Sequence, residues 1–218
     1  MLFCCSFLGS NKIPDTSMTP VSYLALGDSY TIGEQVAEDE RFPMQAAAML
    51  REKGYPVKKP EIIAATGWTT AELEQGIAAA HINQTFDIVT LLIGVNNQYR
   101  GRSLEEYKEE FTALLRQAIE FAGNSPSRVV VLSIPDWSVT PYAAGRDRAP
   151  IAAAIAAFNA ANKAIAEQRG VPYLDITPFT REAAVDKGLL AADGLHPSGK
   201  DYRRWARALT ALLEQALQ

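Results

Sequence analysis

Short β-rich runs alternate with longer helical patterns along most of this chain of 218 residues. Several of the runs are unbroken series of Val, Ile and Leu, which is typical of strands buried on both faces of a parallel sheet. Five strands are predicted, at residues 21–26, 61–65, 87–93, 128–134 and 171–175. Strands that alternate with helices predict a parallel sheet with helices packed on both faces, in one α/β domain.

The helices between the strands carry recognisable end signals. Thr69 and Ser103 each precede a glutamate by three residues, which is the capping-box pattern at the start of a helix. Pro150 is predicted to open an alanine-rich helix that Gly170 closes, and Ser198 is predicted to precede the last helix.

Polar and aromatic residues follow the strands at the points where ligands bind to a sheet of this kind. Ligands of open parallel sheets sit beyond the carboxyl ends of the strands. The residues placed there are Ser29, Gly67, Asn96, Asp136 and Trp137, and the loop before the last helix adds Asp193 and His196.

Ser29, Asp193 and His196 are the three residue types that turn a weak alcohol into a nucleophile. The chain has only two histidines, so few side chains are available as a general base. Structural alternatives remain open: Ser29 as a helix cap, and Asp193 with Gly194 as an ordinary turn. The other histidine, His81, falls on the packing face of a predicted helix, where a partly buried structural role is expected.

Four short motifs, in order along residues 21–198, resemble the SGNH hydrolase superfamily, which includes the GDSL-type esterases and lipases. They are Gly27-Asp28-Ser29-Tyr30, the glycine of Ala65-Thr66-Gly67-Trp68, Gly94-Val95-Asn96-Asn97, and Asp193-Gly194-Leu195-His196. The resemblance implies a three-layer α/β/α fold with a flavodoxin-like, five-stranded parallel sheet.

The resemblance also implies a role for each motif residue. Ser29 would be the nucleophile, His196 the general base and Asp193 its partner. The oxyanion hole would consist of the backbone N–H groups of Ser29 and Gly67 and the side chain of Asn96, although Gly67 also suits an ordinary turn and Asn96 a loop. Asn97 departs from the family pattern, which has aspartate at this position, and this puts the electrostatics of its loop in doubt.

The predicted function is that of a serine esterase that hydrolyses short acyl or acetyl esters, including those of sugars, through an acyl-enzyme. This chemistry needs no metal or organic cofactor, and its partner is a small-molecule ester. An acyltransferase, or a lysophospholipase or thioesterase, would use the same residues, whereas a non-catalytic ligand-binding module is a further alternative. The predicted substrate contacts are Tyr30, Trp68, Asn97, Gln98, Tyr99 and Trp137. Residues 135–150 are predicted to form a loop beside the site.

Composition excludes several other classes of function. The net charge of −4 and the lack of a basic patch argue against a nucleic-acid partner. The only cysteines, Cys4 and Cys5, are adjacent, so no disulfide framework is expected, and two distant histidines make a zinc site improbable.

The first seventeen residues differ from the rest of the chain. Residues 1–17 are interpreted as a flexible tail, either an atypical export signal or a segment before a true start at Met18, and residues 18–218 as a single SGNH hydrolase domain. A cytoplasmic location is favoured, with export if residues 1–17 act as a signal. No membrane-spanning segment and no stable membrane insertion are expected.

Overall fold

The computed structural model describes residues 19–218, so the predicted tail at residues 1–17 lies outside the described residues. Five parallel strands form one sheet in the order β2-β1-β3-β4-β5. The strands are β1 Tyr23–Asp28, β2 Glu61–Ala65, β3 Ile88–Leu92, β4 Val129–Leu132 and β5 Tyr173–Leu174. The predicted parallel sheet is therefore confirmed.

Helices cover both faces of the sheet in the predicted three-layer α/β/α arrangement. They are α1 Ser29–Ile32, α2 Phe42–Glu52, α3 Thr70–Ala80, α4 Val95–Tyr99, α5 Leu104–Phe121, α6 Arg148–Gln168, α7 Thr177–Arg181 and α8 Gly199–Ala216. Helices α2 and α8 pack against each other in one layer, and α3, α5 and α6 pack in series in the other.

The central strands are buried along their whole length. Every residue of β1, β3 and β4 is buried, which explains why the sequence is almost continuously apolar there. The chain leaves β1 toward β2 and then returns to β3 on the other side, so the strand order reverses between β1 and β3. In open α/β sheets the crevice at such a reversal is the usual place for a ligand.

Strand β2 has the predicted bounds, β3 and β4 are shorter than predicted by two and three residues, and β1 and β5 differ most. Strand β1 continues to Asp28, two residues beyond the predicted end, so that α1 begins directly at Ser29. Strand β5 contains two residues, Tyr173–Leu174, instead of five. It pairs only with β4, and Pro172 before it has no N–H to donate to a ladder.

The predicted helix starts are mostly correct. Thr69, Ser103 and Ser198 are all N-caps whose side chains accept a backbone hydrogen bond from the third helical residue. Helix α6 begins at Arg148, two residues before Pro150, because Asp147 is its cap. Helices α1, α4 and α7 have four or five residues, too few to show a helical period in the sequence.

His81 is exposed, so the prediction of a partly buried histidine on a packing face is wrong. Helix α3 ends at Ala80, and His81 is its C-cap with a left-handed φ of 47°. The backbone turns away from the helix axis at this residue, so His81 does not continue the apolar face of Leu73 and Ile77.

Among residues 19–218, one helix, α6, is long and apolar enough to cross a membrane by length and composition alone. Core helices of soluble proteins pass the same test. In this fold α6 packs against α5 and β4 and buries Ile155 and Phe158.

Candidate active site

Ser29 is the first residue of α1 and follows β1 without an intervening loop. Asp28, not Ser29, is the N-cap: its Oδ1 accepts the backbone N–H of Tyr30 at 3.0 Å. The alternative in which Ser29 is a helix cap is therefore wrong, and its hydroxyl is free for another partner. Gly33, with a φ of 65°, ends the helix after four residues.

Asp28 is a structural residue beneath the site. Its carboxyl group is fully buried, and its Oδ2 has no hydrogen-bond partner within the described part of the chain. Burial raises the pKa of Asp28 to about 7, against the opposing effect of the N–H of Tyr30.

Ser29, His196 and Asp193 form one hydrogen-bonded series. The Oγ of Ser29 lies 3.0 Å from Nε2 of His196, although the two residues are 167 positions apart in the sequence. The Nδ1 of His196 lies 2.6 Å from Oδ2 of Asp193. The structure therefore brings together the three side chains that the sequence motifs single out.

Asp193 also builds the turn that carries His196. Its Oδ1 accepts the backbone N–H groups of Leu195 at 2.9 Å and His196 at 3.0 Å, and Gly194 has a left-handed φ of 66°. Partial burial raises the pKa of Asp193, but the hydrogen bonds from the His196 ring and the two N–H groups outweigh it and hold the pKa below its usual value. The residue is thus both turn former and ionised partner of the imidazole.

Tyr30 packs on the histidine ring from within the protein. The two ring centroids are 4.9 Å apart, and Tyr30 is only 3% exposed. Its ring forms part of the wall of the cavity in which Ser29 and His196 lie. The predicted substrate contact is therefore a buried wall residue that also fixes one face of the imidazole.

A tight turn after β2 carries Gly67. The N–H of Trp68 donates to the carbonyl of Ala65 at 3.3 Å, and Gly67 has a φ of 80°. This is the geometry of a type II turn, which requires a positive φ at its third residue and therefore favours glycine there. Gly67 is therefore a turn glycine, and it also lines the cavity.

Asn96 lies in the five-residue helix α4 and not in the expected loop. Its Nδ2 donates to the carbonyl of Trp68 at 2.9 Å, which links α4 to the turn after β2. An amide nitrogen carries two hydrogens, so one remains for a ligand. Asn96 also lines the cavity.

The cavity beside Ser29 has a volume of about 130 Å³ and collects the motif residues from four separate segments. Its lining residues are Ser29, Tyr30, Thr66, Gly67, Val95, Asn96, Tyr99, Trp137, Tyr142, Leu195 and His196. Within residues 19–218 no cluster of three or more His, Cys, Asp or Glu side chains is arranged to hold a metal ion.

Aromatic side chains from two segments form the mouth of the cavity. Tyr99 from α4 and Tyr142 share a hydrogen bond of 3.0 Å between their hydroxyl groups. The guanidinium of Arg146 lies 5.3–5.7 Å from the ring centroids of Tyr99, Trp137 and Tyr142. Trp137 and Tyr142 of the predicted loop at residues 135–150 therefore lie beside the site, whereas residues 148–150 belong to helix α6. Arg146, which packs over three rings that line the cavity, is indicated by no sequence motif.

Three predicted substrate contacts do not line the cavity. The Trp68 ring covers Gly76, where an added Cβ would lie 2.2 Å from it. Gln98 accepts the indole N–H of Trp137 at 2.8 Å and so supports a cavity residue from behind. Asn97 is 1% exposed and binds Thr70 instead of facing a ligand.

The hydrogen bonds of Asn97 explain why asparagine stands where the family pattern has aspartate. Its Oδ1 accepts the N–H of Thr70 at 3.0 Å, and its Nδ2 donates to the Thr70 hydroxyl at 2.6 Å. That hydroxyl in turn donates to Glu110. A carboxylate cannot donate, so aspartate would leave the Thr70 hydroxyl with two acceptors for one proton.

Asn97→Asp is therefore expected to lower the free energy of unfolding by about 1–3 kcal/mol, because it breaks a buried hydrogen bond and sets a second carboxylate near Glu110. Chemical denaturation measures the change. Adding Glu110→Gln supplies a donor to Thr70 and should restore part of the loss. An Asn97→Asp protein as stable as the parent would contradict the assigned network.

Comparison with known proteins gives one family and a common fold. The family model described as "GDSL-like Lipase/Acylhydrolase family" matches residues 25–204. No curated protein matches the sequence.

Similar solved structures include TesA, at 18% identity and a TM-score of 0.68, covering 89% of this chain and 99% of that one. The psychrotrophic esterase EstA from Pseudoalteromonas sp. has 16% identity and a TM-score of 0.68, with 90% of this chain and 98% of that chain covered. The acetylxylan esterase Axe2 from Geobacillus stearothermophilus has 19% identity and a TM-score of 0.67, with 88% and 94% covered. At these identities the likeness shows the fold.

Proposed function

Because the chain belongs to the GDSL-like lipase/acylhydrolase family, and is thus an ester-cleaving hydrolase, we propose that it is a serine esterase acting through an acyl-enzyme intermediate. The observation that carries the proposal is the hydrogen-bonded series from Ser29 through His196 to Asp193, with contacts of 3.0 and 2.6 Å. The hydroxyl, imidazole and carboxylate are within hydrogen-bonding reach of one another in series, and the first two lie at the wall of one cavity, as this chemistry requires.

In the proposed first step, Oγ of Ser29 attacks the ester carbonyl carbon while its proton passes to Nε2 of His196. Asp193 holds the opposite ring nitrogen as an N–H and stabilises the imidazolium that forms. The imidazolium then donates its proton to the oxygen of the leaving alcohol as the ester bond breaks. A water molecule, deprotonated by His196, attacks the acyl-enzyme, and the returning proton restores the Ser29 hydroxyl.

The tetrahedral intermediate carries a negative oxygen that needs donors. We assign this role to the N–H groups of Ser29 and Gly67 and to the second Nδ2 hydrogen of Asn96. Ser29 begins α1, and the first N–H groups of a helix have no partner inside the helix. The three donors come from the ends of β1, β2 and β3, on either side of the strand reversal.

Asn96→Ala is expected to lower kcat by about a hundredfold to a thousandfold with little change in KM, because it removes a donor used mainly in the transition state. The readouts are steady-state kinetics on a short p-nitrophenyl ester and the thermal unfolding temperature. The unfolding temperature shows how much stability is lost with the hydrogen bond from Asn96 to the carbonyl of Trp68. A kcat within threefold of the parent would remove Asn96 from the proposed oxyanion hole.

The size of the cavity favours small acyl groups. A cavity of about 150 Å³ holds a benzene molecule, so the volume of about 130 Å³ beside Ser29 suits an acyl chain of only a few carbons. The aromatic rings at the mouth offer flat surfaces on which a sugar can stack. Short acyl or acetyl esters, with sugar acetates among them, are therefore the proposed substrates, and the acetylxylan esterase Axe2 shares this fold.

The experiment that tests the proposal is labelling with a fluorophosphonate probe, followed by peptide mapping and assays on esters of increasing acyl length. We expect the label on Ser29 and the highest kcat/KM on the shortest acyl groups. Product analysis with added alcohols distinguishes hydrolysis from acyl transfer, which shares the acyl-enzyme. Labelling of a different serine, or of none, would refute the proposed mechanism.

A further inference from the structure

Arg100 joins the two segments that carry Gly67 and Asn96. It is the C-cap of α4, and its Nη2 donates to the carbonyl of Gly67 at 2.6 Å. Its Nη1 donates to both carboxylate oxygens of Glu72, each at 3.1 Å. One guanidinium thus spans α4, the turn after β2 and the start of α3.

Glu72 is itself held in place. Its Oε2 accepts the N–H of Thr69 at 2.7 Å and completes the capping box of α3. The N–H of Thr69 and, more weakly, Arg100 hold the pKa of Glu72 below its usual value, so the carboxylate stays charged at neutral pH. Arg100 therefore has a fixed anion on one side and a backbone carbonyl on the other.

The ion pair is half exposed, with 42% of the Arg100 side chain and 37% of the Glu72 side chain accessible. Exposed pairs of this kind contribute little to the stability of a fold. Gly67, in contrast, has the widest conformational freedom of any residue type, and a hydrogen-bond donor for an oxyanion must be held closely in place. The bond to the Gly67 carbonyl restricts that freedom.

The carbonyls of the turn are tied to α4 at two successive residues. Arg100 holds the carbonyl of Gly67, and Asn96 holds that of Trp68 at 2.9 Å. The relative position of the turn and α4 is thus fixed by two hydrogen bonds from one short helix.

We propose that Arg100 is a positioning residue of the oxyanion hole: it holds Gly67 and α4 together so that the Gly67 N–H and the Asn96 amide point at the same oxygen. The inference rests on the proposed function, from which the roles of Gly67 and Asn96 are taken. Arg100 itself acts through these residues and is assigned no contact with the reacting atoms.

The test compares Arg100→Gln with Arg102→Gln, a matched control. Arg102 is two residues away, exposed, and paired with Glu106 at 3.2 Å on the same surface. We expect Arg100→Gln to lower kcat by about tenfold to a hundredfold, with KM and unfolding temperature close to the parent, because small displacements of catalytic groups have effects of this size. Arg102→Gln should leave all three values unchanged.

Two further measurements separate positioning from a merely structural role. Kinetics are expressed per fluorophosphonate-reactive site, which removes any loss of folded protein. Arg100→Ala is assayed with added guanidinium ion, well below unfolding concentrations, which should restore part of kcat by filling the same contacts. Arg100→Lys should fall between parent and Arg100→Gln, because an ammonium cannot make the same forked contacts.

The inference is overturned if Arg100→Gln keeps the kcat of Arg102→Gln, or if its loss disappears when activity is expressed per reactive site. If Asn96→Ala shows its expected loss of kcat in the same assay, either of these results refutes only the role of Arg100 and leaves the proposed function unaffected. A parent protein that neither labels at Ser29 nor hydrolyses esters overturns the proposed function and this inference with it.

Discussion

Ser29→Ala should lower kcat for any ester by at least about ten-thousandfold, the scale at which loss of a serine nucleophile acts in other triads. The substitution removes the only atom that can form the proposed acyl-enzyme, and water has no equivalent path to the carbonyl. The measurement is the initial rate on a short p-nitrophenyl ester at saturating concentration, with the fluorophosphonate label as a second readout.

The fold should survive this change. Asp28 caps α1, so Ser29 makes no capping bond, and its hydroxyl contacts His196 at 3.0 Å. The unfolding free energy should therefore move by about 1 kcal/mol or less. Ser127→Ala, an exposed serine outside the cavity, is the matched control and should behave as the parent. Turnover by Ser29→Ala at the parental rate would refute the serine mechanism.

The sequence allows the sheet to be predicted because its signal is local. The largely apolar runs of β1, β3 and β4 reflect burial on both faces, and each can be recognised without knowledge of the others. The two-residue strand β5 shows the limit of this approach. Only two of its five predicted residues pair with β4, and how far two strands pair is a property of the assembled fold.

The contacts of the candidate site are likewise of two kinds: local contacts, which the sequence predicts, and contacts between distant segments, which it does not. Asp193 and His196 interact across one turn of the chain, so their spacing predicts their contact. The contact between Ser29 and His196 spans 167 residues and follows only from the strand order together with the family motifs. The bonds from Arg100 to Gly67 and from Asn97 to Thr70 have no local signal, because surface arginines and loop asparagines are common and their partners depend on α4.

His81 illustrates an error of orientation, whereas Tyr30 lies where its position beside Ser29 suggests. The helical period places His81 on a buried face, but His81 itself has a left-handed backbone conformation at the end of α3, and its side chain is exposed to solvent. Tyr30 lines the cavity, and its buried ring also packs against the imidazole. At His81 the backbone angles of a single residue decide which way the side chain faces.

Asp193→Asn should lower kcat by about ten-thousandfold while leaving the turn intact. The Oδ1 of asparagine can still accept the N–H groups of Leu195 and His196, so the unfolding temperature should stay near that of the parent. Its Nδ2 would face Nδ1 of His196 and donate to it. That bond selects the tautomer with the proton on Nε2, which cannot accept the proton of Ser29.

The pH dependence separates this effect from a loss of charge alone. In the proposed mechanism Nε2 of His196 accepts the proton of Ser29, which the ring can do only while that nitrogen carries no proton. The carboxylate of Asp193, with its pKa held below the usual value, stays ionised until the pH falls below that lowered pKa, so its support of the imidazole is lost only in acid. Asp193→Asn should remain slow at every pH, whereas Asp193→Glu, which keeps the acceptor, should recover part of kcat. An Asp193→Asn enzyme within tenfold of the parent at neutral pH would show that the tautomer of His196 is set by another group, and that Asp193 serves only the turn, through its Oδ1.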